Sequence, residues 1–74
     1  MKTERVPAKD LSCLDMMIVR IGDVANETEI DDVRIDPDYV VVVLAFENMN
    51  QEIERVTWTF AHDDVIEIAH RTNI

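Results

Sequence analysis

The chain has 74 residues, 47 % of them apolar, and sixteen acidic against seven basic side chains give a formal charge of −9. One small domain is expected, and at this size only about 60 % of the unfolded surface becomes buried, so net stability is modest. The longest apolar run, residues 39–46, is far below the roughly 20 residues of a membrane span, and the charge opposes direct nucleic-acid binding where no basic patch with interleaved aromatics exists.

No charged leader precedes an apolar block, and the lone Cys13 cannot form an internal disulfide. A reduced, cytoplasmic setting is therefore expected, with Cys13 a small buried thiol. Residues 1–10 are polar, carry Pro7 and are expected to be flexible, leaving 11–74 as a single small β domain. The segment DLSCLD, residues 10–15, suits a turn into the first strand, with Leu11 and Leu14 tucked inward. Residues 16–23 then place Met17, Val19 and Ile21 on one side of a strand, and 24–28 suit a polar connection just after the single glycine, Gly22.

In residues 29–36, Val33 and Ile35 alternate against Arg34 and Asp36, while Ile30 falls on the opposite parity and implies a bulge or a late start. Asp36-Pro37-Asp38 is a turn, since proline presets its backbone angle and Asp36 can bond forward to the backbone. Residues 39–47, YVVVVLAFE, form the clearest strand: four consecutive valines suit a pleated surface, and two apolar faces predict a central position. A turn at 48–51 follows, where Asn tolerates positive φ. Residues 52–60 then alternate, with Val56, Trp58 and Phe60 inward.

Residues 61–70 admit two readings. Asp64 and Glu67 have the spacing of a helix capping box. Alternatively, a loop at 61–63 makes a hairpin in which Trp58 lies opposite Ile66 and Val56 opposite Ile68. One-face burial favours the hairpin, because a single register satisfies both strands.

The result is a mainly β chain of five antiparallel strands, curled or closed to protect its edges. The alternative is a four-stranded sheet with a C-terminal helix. Residues 6–23, VPAKDLSCLDMMIVRIGD, resemble the opening of small SH3-like β-barrels, in which a D-L-x-x-G-D turn feeds the first strand. Leu11 and Asp15 match that turn, whereas Leu14 stands at its glycine. Short proteins of bacteriophages and their hosts resemble this plan, down to a final strand pair near a D-D-V turn. The resemblance implies a phage-encoded scaffold for binding protein or nucleic acid, with no catalytic residues to carry over.

The side chains themselves supply little chemistry. His62, Asp63, Asp64 and His70 are the one cluster with ligand potential, but in the hairpin His62 and His70 stand more than about 20 Å apart. No metal, cofactor or catalytic residue is therefore expected; Ser12 has no histidine near it, and one glycine cannot build a phosphate cradle. The acidic window 27–38 is the main functional feature. Glu29, Asp31, Asp32, Asp36 and Asp38 are the candidate contacts of a non-enzymatic binding module for a protein with a basic surface. The second reading is a self-associating structural subunit, a homodimer through Tyr39, Val41 and Val43, whose acidity serves only solubility.

Overall fold

The computed structural model describes residues 2–71, so residue 1 of the N-terminal segment and residues 72–74 of the expected domain lie outside the described residues. Six strands form: β1 (Thr3–Pro7), β2 (Met16–Ile21), β3 (Val24–Ile35), β4 (Val40–Glu47), β5 (Ile53–Phe60) and β6 (Val65–Ala69). A single 3-10 turn, Ala8–Asp10, follows β1. The strands make one antiparallel sheet in the order β1-β6-β2-β3-β4-β5, which is not closed into a barrel. Mainly β architecture is thus as expected, but the strand count is six.

The extra strand comes from the segment expected to be flexible. Thr3–Pro7 pairs along the flank of β6 that faces away from β2, Val6 opposite Ile66 and Glu4 opposite Ile68. Residues 24–28 also belong to a strand and not to a connection. Gly22, at φ +60, and Asp23 close a two-residue hairpin with Ile21 opposite Val24. The anomalous parity of Ile30 is a bulge, the register shifting between Ile30 and Asp32, so Ile30 and Val33 both face inward. Strand β4 is central as expected, between β3 and β5.

The turns fall where anticipated, the first closed by a backbone bond and the second by a side chain. Asp36 opens the β3–β4 turn, its N–H donating to Tyr39 O at 2.8 Å. In the β4–β5 turn the Asn48 Oδ1 accepts from the N–H groups of Asn50 and Glu52, and Gln51, not an Asn, takes positive φ. Asp15 organises the 12–15 turn through its own N–H to Ser12 O and a carboxylate that accepts from Ser12 N. That geometry turns Leu11 inward but leaves Leu14 90 % exposed and Cys13 on the surface, against expectation for both.

Residues 65–69 are strand β6, which removes the helical alternative. Asp64 accepts from Ala61 N at 2.8 Å and so tightens a turn rather than capping a helix. The hairpin with β5 is absent too: Trp58 lies opposite Val42, and Val56 opposite Leu44. The inward parity still holds, since Ile66 and Ile68 are buried in a core with Ala8, Leu11, Met17, Ile30, Val40, Val42 and Leu44. Ile68 has no exposed surface. Truncating Ile68 to Ala should cost about 3 kcal/mol, a large share of the roughly 4–11 kcal/mol expected for a chain this long. A lower urea midpoint at unchanged slope is the expected outcome in equilibrium unfolding.

Candidate binding site

The two ends of the curled sheet differ. At one end the turns 36–39 and 61–64 and the Ala8–Asp10 turn meet. Ala8 N donates to Asp64 O at 2.8 Å, Lys9 N to His62 O at 3.1 Å, and the His62 Nε2 lies 2.6 Å from Asp36 O. The opposite end carries the β2–β3 and β4–β5 hairpin tips, with no comparable ties between them among the described residues. There the concave face opens as a groove of about 450 Å³, floored by Val19, Leu44, Phe46, Val56 and Trp58. That volume is within the range of small-ligand and side-chain pockets.

Trp58, expected in the core, is 38 % exposed and forms part of the groove wall, edge-on to Phe60 with ring centroids 6.2 Å apart. The reason is geometric: β6 covers the inner face near Val40 and Val42 but stops short of Phe46 and Val56. Asn26 and Thr28 add polar groups to the lining, and the Asn26 amide has only a long 3.5 Å approach to Val19 O. The molecule exposes 5459 Å², against about 4,700 Å² for a compact monomer of this mass, consistent with an uncovered inner face.

Charge is distributed unevenly around this groove. Glu27 and Glu47 border it, their side chains on the convex side of the strands by alternation, and Asp23, Glu52 and Glu54 stand in or beside the two hairpin tips. Residues 21–33 and 35–54 contain no Lys or Arg. The absence of bases over these stretches was visible in sequence; the groove was not, because Trp58 and Phe46 have the parity of core residues.

The five expected acidic contacts do not form one site. Glu29 and Asp32 sit on the convex side of β3, opposite Ala45 and Val43, and are exposed. Asp31, in the bulge, holds the Arg55 Nε at 3.0 Å. Asp36 and Asp38 are in the turn at the tied end, where Asp36 lies 3.4 Å from an Arg34 nitrogen. The expected self-association residues lie on or beside the convex side of β4. Val41 and Val43 are half-buried between Arg34 and Thr59 and between Asp32 and Thr57, and Tyr39 is exposed at the turn.

Two arginine clamps hold the strands that frame this arrangement. Arg20 on β2 grips Glu67 on β6 with two bonds of 2.8 Å, and Thr3 on β1 adds a third at 2.9 Å. The Arg20 bonds, then the Thr3 hydroxyl, hold the Glu67 carboxyl far below its ordinary value, at about 2. Arg71 forks onto the buried Asp15 at 2.9 and 2.8 Å and also donates to Asp10 O. The Arg71 bonds lower the Asp15 carboxyl against the opposing effect of burial, with help from Ser12 N.

Both carboxyls bind protons less readily folded than unfolded. Their stabilisation is complete above the unfolded values, near 4, and is lost as pH falls through the folded ones. Urea midpoints should therefore fall between about pH 4 and pH 2. Glu67→Gln and Asp15→Asn should each flatten that fall, with Asp15→Asn also lowering the midpoint at neutral pH because its arginine loses a buried partner.

Among the described residues, no group of three His, Cys, Asp or Glu converges on a metal-sized site, and no helix is long and apolar enough to cross a membrane. His62 is committed to the tied end. His70 lies beyond β6, its N–H donating to Lys2 O at 3.1 Å. Comparison with known proteins yields no matching family model, curated relative or solved structure, so the groove and the acids around it are the basis for assigning a function.

Proposed function

We propose that this protein is a non-enzymatic binding module that takes a basic, apolar segment of a partner protein at the open end of its curled sheet. The observation that carries the reading is the coincidence of an uncovered apolar groove with carboxylates and no base at the two hairpin tips that flank it. Apolar side chains would supply contact energy against Trp58 and Phe46, and Lys or Arg would reach Glu54 and Glu52 at the β4–β5 tip. The convex-side and turn acids, Glu29, Asp31, Asp32, Asp36 and Asp38, act at longer range by drawing a basic partner in. The SH3-like plan is part of this proposal. It is supported by the five antiparallel strands β6-β2-β3-β4-β5, with β1 added outside them. It extends to an origin in a phage or its host and to action in the cytoplasm.

Self-association through Tyr39, Val41 and Val43 is the second reading, supported by the exposure of Tyr39 beside half-buried valines. The stripe is one strand wide, however, and is bordered by Asp32, Arg34, Thr57 and Thr59.

The two acidic regions separate kinetically. With a synthetic peptide combining Lys or Arg with large apolar residues as the probe, Asp31, Asp32 and Asp36→Asn should slow association and flatten its salt dependence. Freed Arg34 and Arg55 reinforce the effect. Trp58→Ala should instead speed dissociation, raising Kd by tenfold or more. Stopped-flow binding at low and high salt measures both, and parental kinetics in both variants would end the proposal.

A further inference from the structure

We infer that the partner segment binds as a seventh strand, antiparallel along the free edge of β5, with the pattern apolar-x-apolar-x-basic. This rests on the binding-module reading and specifies how the segment is held. Strand β5 is an edge: it pairs with β4 over all eight residues and makes no comparable contact on its other flank. Its edge protection is confined to one end, at Glu54 and Arg55: the run IERVTWTF has no proline or lysine, and residues 56–60 carry no charge.

The hydrogen-bond phase of that edge follows from the turn before it. Asn48 N donates to Glu52 O at 2.9 Å in the same register that pairs Phe46 with Glu54, Leu44 with Val56 and Val42 with Trp58. Bonded pairs alternate along an antiparallel ladder, so the even-numbered residues of β5 bond to β4. Arg55, Thr57 and Thr59 therefore present their N–H and C=O groups to the open flank, and no backbone partner meets them among the described residues.

Side-chain alternation then sets the chemistry of the incoming strand. Residues opposite Trp58 and Val56 enter the concave side, where the groove is apolar, so both must be large and apolar. Two positions further along the antiparallel segment, the residue opposite Glu54 meets the carboxylates of the β4–β5 tip and must be Lys or Arg. The intervening positions face Thr57 and Arg55 on the convex side. They suit small polar residues and exclude a base beside Arg55. A second copy of this chain is disfavoured as the occupant because each copy carries −9 and the tips would bring like charges together. Strand addition of this kind takes affinity from main-chain bonds and selectivity from alternate side-chain pockets.

The test uses the whole chain, isotope-labelled, and a short blocked peptide with Phe-Thr-Ile-Thr-Arg at its centre. Binding should shift Trp58 fluorescence and slow amide exchange at Arg55, Thr57 and Thr59 by about tenfold or more. N-methylating the peptide at its two threonines, whose amides face β5, should raise Kd about tenfold or more, while N-methylating Phe and Ile should leave it near parental. If the peptide binds with a Trp58 response but both methylated forms bind alike and the β5 amides stay unprotected, the strand geometry is wrong and the groove reading survives. If no peptide gives a saturable Trp58 response, the binding-module reading fails and the strand with it. Protection of the same amides that grows with protein concentration in the absence of peptide would assign the edge to a second copy and overturn the partner assignment.

Discussion

The constraint on which this structure depends is the short link between β5 and β6. These strands are consecutive in the chain yet have three strands between them in the sheet, roughly 19 Å in a flat arrangement. The link is a tight turn, closed by Asp64 N to Ala61 O at 3.1 Å, and cannot span that distance. The sheet has to roll until the two strand ends meet. Rolling places Ile66 and Ile68 over Val40 and Val42 and creates the core at that end. Because the link ties one end only, the other end of the inner face is left open.

The few basic residues serve the same division. Arg20, Arg34, Arg55, Arg71 and Lys9 each meet a carboxylate, and these pairs lie on the convex side or at the tied end. Exposed pairs of this kind add little stability individually, and the better-placed Arg71–Asp15 fork fixes a turn. Their collective effect is on distribution. With these five bases committed elsewhere, the hairpin tips around the groove carry carboxylates and no base.

Much of the fold could be read from residue order, and the failures have specific causes. The inward sets of β4, β5 and β6 follow from period-two alternation, and the bulge beside Ile30 announced itself as a break in that period. Pairing partners did not follow, because parity says which face a residue takes and not which strand lies next to it; Ile66 and Ile68 point inward equally well against β5 or against β1 and β2. Strand β1 was missed because TERVP lacks an apolar run and is held by an edge that exists only after β6 is placed. The groove was hidden for a related reason. Trp58 and Phe46 have core parity, and only the finite length of β6 leaves them uncovered.

The pairing of Thr3 with Ala69 has a consequence for the order of assembly. The hairpins joining β2, β3, β4 and β5 close loops of a few residues, whereas β1 reaches β6 across about sixty. By loop-closure entropy that long closure is dearer by about 2 kcal/mol, roughly four doublings of length. The meander therefore forms first and β1 zips on last, and in reverse β1 is the first to peel away. Since every side chain of the groove belongs to the meander, the protein can open at its seam while the groove remains intact.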